Sequence, residues 1–81
     1  MDLQELKELL QQKGQEHSLE TTSIRQIKVT NYVSVVGVKE GDILTVIAYE
    51  KDLRGRNGYW CEALTSTGYA LIFEDECSIF R

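Results

Sequence analysis

The chain has 81 residues, which is enough for one small domain and too few for two. Hydrophobic residues make up 42% of it and charged residues 27%, and the apolar residues recur in periodic blocks, so the composition excludes a disordered protein. The formal net charge of −4 disfavours broad contact with duplex DNA or with an anionic membrane and favours protein partners.

Export and membrane insertion are not predicted. No apolar run approaches the roughly 20 residues that a membrane-spanning helix needs, and Met1 leads directly into a polar, charged segment rather than a signal peptide. We therefore expect a cytoplasmic protein in which Cys61 and Cys77 are reduced thiols. They are expected to serve as small buried hydrophobic residues, since a redox pair would require adjacent, exposed thiols.

The first segment, residues 2–13, predicts an amphipathic α-helix. Asp2 suits the N-cap position, and Gly14 suits the position just past the helix end. One stripe of the helix is apolar and consists of Leu3, Leu6, Leu9 and Leu10. Because a helix of this length is marginal alone, the stripe must be buried. Two interpretations remain open: the stripe packs on its own domain, or it docks a partner or a second copy of the chain, giving a homodimer, through Leu3, Leu6 and Leu10.

A polar connector without a clear period follows the helix over residues 15–22. We divide the chain there into a helix with its connector, residues 1–22, and a β-domain, residues 23–81. The connector contains His17, the only histidine of the chain. No cysteine or acidic cluster stands near it at the spacing of metal ligands, so we expect a solvated side chain and no metal site.

The rest of the chain predicts strands. Alternating and β-branched residues indicate them at 24–29, 32–38, 43–49, 59–64, 69–73 and 77–80. The charged segment 51–58 is typical of a loop, with Asn57-Gly58 as its turn. Gly37 is expected to mark a sharp bend or a close approach of two backbones.

Residues 39–80 resemble the SH3 and bacterial SH3-like barrels in the order of their motifs. A Gly-Asp turn opens the strand of GDILTVI, a polar loop precedes WCEA, and a glycine precedes YALIF; the matching positions are Leu44, Val46, Trp60, Ala63 and Gly68. The resemblance implies a mainly β fold, an SH3-like small barrel of five to six strands, here with an N-terminal α-helix. Leu71 stands near the place of the proline of peptide-binding SH3 domains, so binding of PxxP ligands is not expected.

Trp60 is the residue that most favours a contact surface. If Cys61 points inward, its neighbours Trp60 and Glu62 point outward, because side chains alternate along a strand. Tryptophan is also a favoured interface anchor. The sequence thus predicts a non-catalytic protein-interaction module with a Trp60-centred face that includes Tyr59, Tyr69, Glu62, Arg54 and Arg56. The alternative is that the N-terminal helix covers Trp60.

Charged residues give further hypotheses. The acidic turn of Glu74, Asp75 and Glu76 is either a solvated turn that blunts a sheet edge or a contact for a basic partner. The alternative function is a small-barrel nucleic-acid binder that combines aromatic stacking with Arg25, Lys28, Arg54 and Arg56. Its acidic counterpart is an inhibitor that occupies another protein's nucleic-acid site, as small phage-encoded inhibitors do.

Catalysis has little support in the sequence. It contains no set of nucleophile, base and orienting residue, no glycine-rich loop that would bind phosphate, and no quartet of metal ligands. We therefore expect neither enzymatic activity nor a cofactor.

Overall fold

The protein has a mainly β fold in which an α-helix packs on an antiparallel sheet. The computed structural model describes residues 3–12 and 17–80, so the predicted caps Asp2 and Gly14 lie outside the described residues. The elements follow in the order α1 (Leu3–Gln12), β1 (Leu19–Glu20), β2 (Gln26–Val29), β3 (Ile43–Leu53), β4 (Arg56–Glu62), β5 (Tyr69–Phe73), a 3-10 turn (Glu74–Glu76) and β6 (Cys77–Ile79).

The expectation of a mainly β fold with an N-terminal helix is confirmed, but the sheet is open and does not close into a barrel. Its strands follow the order β5-β4-β3-β2-β6, and β1 pairs with β3 beside this path. β5 and β6 are the two ends, and no ladder joins them within the described residues. At the β5 edge, side chains take the hydrogen-bonding positions of a neighbouring strand: Thr65 donates to the carbonyl of Tyr69, and Glu76 accepts from the N–H of Phe73.

The segment 32–38 is a loop, although its β-branched residues predicted a strand. A backbone hydrogen bond at Val38 closes a local turn instead of joining a ladder. Val33 and Val38 insert into the core, whereas Tyr32 and Val36 of the same run are exposed. Gly37 has a φ of +100°, and a Cβ at this position would collide with the carbonyl oxygen of Leu64. The predicted close approach of two backbones at Gly37 is confirmed.

The hairpin between β3 and β4 is tighter than the sequence indicated. Most of the predicted loop 51–58 belongs to the two strands, and the turn is Arg54-Gly55, with φ values of +54° and +79°. Two consecutive positive φ values suit a two-residue turn whose twist matches that of its strands. Asn57-Gly58 lies inside β4, where Asn57 Oδ1 accepts a hydrogen bond from Asp52 N at 2.8 Å.

The sheet buries apolar side chains on both faces. One face carries a central core of Ile27, Val29, Val33, Val38, Leu44, Tyr59, Cys61, Ala70 and Ile72. The other face, with Ala48 and Tyr69, packs under α1, whose Leu6 and Leu10 are 0% and 5% exposed. The leucine stripe therefore packs on its own domain, which is the first of the two interpretations of the helix.

A β-bulge in β3 decides which of its residues face α1. Val46 pairs with Cys61, and Ala48 pairs with the adjacent residue Trp60. Ile47 is therefore an extra residue on β3 that has no partner on β4. Because side chains alternate along a strand, one extra residue turns every later side chain to the opposite face. Glu50 consequently lies on the α1 face, on the same side as Trp60.

Candidate functional site

A buried carboxyl group lies between the sheet and the N-terminal segment. Glu50 is 1% exposed. Trp60 Nε1 donates to its Oε1 at 2.5 Å, and His17 Nδ1 lies 2.5 Å from its Oε2. The imidazole is 6% exposed and meets the indole edge-on, with ring centroids 5.9 Å apart. We call His17, Glu50 and Trp60 the Glu50 cluster.

Three strands bring the Glu50 cluster together. The bulge in β3 turns Glu50 to the α1 face, where Trp60 of β4 lies beside it. β1 lies within the predicted connector, and its Leu19 pairs with Glu50. This pairing holds the connector along β3, so His17, two residues before β1, reaches the carboxyl group. The prediction of a solvated His17 is wrong, because two residues of strand give no periodic signal.

The Glu50 cluster fastens the connector to the sheet. A buried carboxyl group without hydrogen-bond donors would cost several kcal/mol, so both donors stabilise the docked arrangement. The indole N–H can only donate. Within the described residues, no buried side-chain nitrogen or oxygen lacks a partner. The hydrogen-bonding groups of the cluster are therefore satisfied within the chain, and the cluster offers no unpaired polar group to a ligand.

The aromatic residues of the predicted contact face are covered. Trp60 is half-buried and packs in the cluster beneath α1. Tyr59 and Tyr69 are each 5% exposed. Tyr59 belongs to the central core, and Tyr69 donates its hydroxyl to Glu5 of α1 at 3.2 Å. The structure therefore agrees with the alternative interpretation of the sequence, in which the N-terminal helix covers Trp60.

The charged residues predicted for this face have separate surroundings. Arg54 is exposed in the hairpin turn, and Glu62 is half-buried at the end of β4. Arg56 pairs with Asp75 at 2.7 Å, and its guanidinium carbon lies 3.8 Å from the centre of the Phe73 ring. Arg56 therefore fastens the hairpin to the acidic turn.

The four basic residues predicted to bind nucleic acid lie in two places. Arg25 and Lys28 are exposed, and Lys28 pairs with Ile43, the first residue of β3. Arg54 and Arg56 follow the last residue of β3. The two pairs lie near opposite ends of an 11-residue strand, so they do not form one basic patch.

The acidic turn is engaged with its own chain at each residue. Asp75 forms the ion pair with the hairpin. Glu76 Oε1 accepts a hydrogen bond from Phe73 N at 3.0 Å. Burial, and then the charge and hydrogen bond of Glu74, raise the pKa of the Tyr49 hydroxyl. The turn is therefore part of the fold, although Glu74 and Asp75 are exposed.

Both cysteines are free thiols. Cys61 is buried and Cys77 is half-buried. Burial is the main cause that raises the pKa of Cys61 to about 12 and the pKa of Cys77 to about 11. Because the thiolate is the reactive form, neither side chain is primed for redox chemistry.

We expect the native thiols to react slowly with Ellman's reagent. At pH 8 the raised pKa values leave roughly a thousandfold less thiolate at Cys61 and a hundredfold less at Cys77 than in the unfolded chain. The measurement compares the reaction rates in buffer and in guanidinium chloride, with Cys77→Ala isolating Cys61. Equal rates in the two solvents would show that the thiols are accessible and ionise normally.

Two adjoining loops each expose a large aliphatic side chain. Val36 is 91% exposed and Leu64 is 94% exposed. The backbone contact at Gly37 brings their loops together, and a shallow depression of about 430 Å³ there is lined by Val35, Val36, Leu64, Thr65, Ser66, Thr67 and Tyr69. We call Val35, Val36 and Leu64 the Val36–Leu64 patch. Sequence reasoning missed it because it assigned these residues to strands.

A larger open groove of about 1000 Å³ lies beside α1. Its lining is mixed in polarity and consists of Gln4, Lys7, Leu10, Gln11, His17, Ser18, Leu19 and Glu20. Residues 13–16, which join α1 to His17 in the sequence, lie outside the described residues, so we place no site there.

No protein-family model, curated protein or solved structure matches the chain. Across residues 3–12 and 17–80, no group of three or more His, Cys, Asp or Glu side chains is placed to hold a metal ion. No helix in that part of the chain has the length and apolar character needed to cross a membrane. The function of the protein must therefore be inferred from its own surfaces.

Proposed function

We propose that the protein is a small, non-catalytic protein-interaction module and that the Val36–Leu64 patch is its contact surface. The observation behind this proposal is the near-complete exposure of two large aliphatic side chains in adjoining loops. Single exposed apolar residues are normal, whereas adjoining ones mark contact sites. Loops on a rigid scaffold are also where recognition residues concentrate.

Hydrogen bonds hold the patch in place before a partner arrives. Val38 N donates to Val35 O at 3.2 Å, and Gly68 N donates to Thr65 O at 3.1 Å. Thr65 Oγ1 also donates to Tyr69 O at 2.7 Å. Because both loops are already ordered, little conformational entropy would be lost when a partner binds them.

An SH3-like architecture remains part of the proposal. Two features support this architecture. The strand order is β5-β4-β3-β2-β6, in which the last strand of the chain, β6, lies beside β2, and a 3-10 turn leads into β6. A shared fold does not assign a function. Leu71 stands near the proline position of peptide-binding SH3 domains, so the proposed ligand is an apolar protein surface and not a PxxP segment.

The proposal predicts that Val36→Ser combined with Leu64→Ser abolishes partner capture. Burying each aliphatic side chain contributes about 1.5–3 kcal/mol, so the double variant should bind at least roughly a hundredfold more weakly. Stability should change by about 0.5 kcal/mol or less at these exposed positions. The measurement is capture of proteins from source-cell lysate on the immobilised chain, followed by affinity measurement with the protein recovered.

Ile43→Thr is the matched control, since Ile43 is 45% exposed but lies at the start of β3. A protein retained by this control and lost by the double variant supports the proposal. Nucleic acid recovered in place of protein, and released by salt, would favour the nucleic-acid alternative. A protein retained equally by both variants would rule out the Val36–Leu64 patch.

A further inference from the structure

The two ends of the sheet are finished differently. At the β5 edge, Phe73 N donates to Glu76 Oε1 at 3.0 Å. At its other end, Tyr69 O accepts hydrogen bonds from Thr65 Oγ1 at 2.7 Å and from Thr67 Oγ1 at 3.2 Å. Side chains thus occupy edge positions on both sides of Leu71. Such capping prevents another strand from pairing along β5.

The β6 edge has no such capping. Phe80 N donates to Gln26 O at 3.0 Å, and Thr30 N donates to Glu76 O at 2.9 Å. Because backbone groups point to alternate sides along an antiparallel strand, Cys77 and Ile79 turn their N–H and C=O groups away from β2. The Cys77 N–H closes the 3-10 turn Glu74–Glu76, so within the described residues the groups left open are the C=O of Cys77 and the N–H and C=O of Ile79.

Apolar side chains and negative charge surround this edge. Ile79 is 45% exposed and Phe80 is 40% exposed, so an added strand would cover apolar surface. The 3-10 turn before β6 contributes three carboxylates, of which Arg56 neutralises that of Asp75 and Phe73 N bonds that of Glu76, while Glu74 is exposed. Lys28 pairs with Ser78 on the β2 side, so it is at its turn end that the edge complements a segment that is both extended and basic.

We infer that the β6 edge, Cys77–Ile79, is a docking site for an extended, basic segment of a partner protein, which adds to the sheet as a further strand. The open N–H and C=O groups supply the backbone pairing, and the acidic turn selects lysine or arginine. A second copy of the chain suits the edge poorly, because each copy carries a net charge of −4 and β6 has three residues. The inference shares with the proposed function only that the partner is a protein.

The test uses a short blocked peptide that alternates valine with lysine, titrated into the ¹⁵N-labelled full chain. We expect the largest chemical-shift changes at the amides of β6, with at least tenfold slower hydrogen exchange at Ile79. A peptide with glutamate in place of lysine should bind at least tenfold more weakly. A peptide N-methylated at alternate residues, which cannot pair along one edge, should not bind.

The matched variants are Ile79→Pro, which removes one outward N–H group, and Ile79→Val, which keeps it. Proline is tolerated at sheet edges, and we expect it to weaken binding at least tenfold while valine leaves binding unchanged. The N-methylated peptide decides the question if Ile79→Pro does not fold.

The Val36→Ser, Leu64→Ser double variant should bind the peptide normally, which separates this inference from the proposed function. Equal binding of the acidic peptide, shifts centred on the Val36–Leu64 patch, a peptide-independent dimer through β6, or no shifts at all would overturn it.

Discussion

Replacing Glu50 with alanine should lower the free energy of unfolding by about 3–5 kcal/mol, because two buried polar groups each lose a partner at about 1–3 kcal/mol apiece and a cavity adds to the loss. The change leaves the indole N–H of Trp60 and the Nδ1 atom of His17 without their shared partner in a buried place. It also leaves a cavity that the neighbouring backbone fills only in part. Small domains are stable by about 5–15 kcal/mol in total, so a urea titration followed by circular dichroism should show a large shift of the midpoint.

The matched control is Glu20→Ala, because Glu20 is exposed on β1 and pairs with the residue before Glu50. Its stability should stay within about 0.5 kcal/mol of the wild type. Glu50→Gln retains one acceptor oxygen, so we expect an intermediate loss of about 1–3 kcal/mol. If Glu50→Ala and Glu20→Ala unfold at the same urea concentration, the Glu50 cluster does not fasten the N-terminal segment.

The sequence predicted the elements best where periodicity and packing agree. The helix stripe, the strand 69–73 and the start of β3 all lie where the pattern placed them. The segment 32–38 misled because β-branched residues also suit a loop that inserts some of its side chains into the core, here Val33 and Val38, and no local signal distinguishes such a loop from a strand. The hairpin was misplaced because Arg54 takes a positive φ, a conformation for which arginine gives no warning.

The candidate site was less predictable because it depends on contacts between distant residues. Strict alternation along β3 would place Glu50 on the same face as Leu44, in the central core, and the bulge at Ile47 reverses this. His17 reaches its partner across 33 positions of sequence. The direction of Trp60 could be inferred from alternation, but its cover could not, since no local pattern says where a helix will dock.

These contacts change where recognition is expected. Tryptophan and tyrosine often anchor an interface, but here Trp60 and Tyr69 pack with α1 and Tyr59 lies in the central core. Asp75 of the acidic turn holds the hairpin. The groups left for a partner are the Val36–Leu64 patch and the open backbone of β6. The patch lies in loops and β6 lies at a sheet edge, and neither feature has a signal in composition or periodicity. The sequence therefore predicted a different contact surface, centred on Trp60.

Replacing Leu6 with alanine should lower the free energy of unfolding by about 2–5 kcal/mol, the range for truncating a buried leucine. Leu6 is 0% exposed and packs in the cluster that contains Trp60. An isolated helix as short as α1 is unstable in water, so loss of this anchor should free the helix from the sheet. The emission of Trp60 should then move to longer wavelength before the central core unfolds, which a urea titration with fluorescence and circular dichroism together would resolve.

Glu8→Ala is the control on the same helix, because Glu8 is exposed and lies outside the leucine stripe. It should change stability by about 0.5 kcal/mol or less.

The same pair of variants separates the two interpretations of the stripe. If Leu6 acts within its own chain, the effect of Leu6→Ala does not depend on protein concentration. If the stripe instead held a dimer, the wild-type midpoint would rise with concentration and Leu6→Ala would remove that dependence, a result that would contradict the packing of α1 on its own sheet.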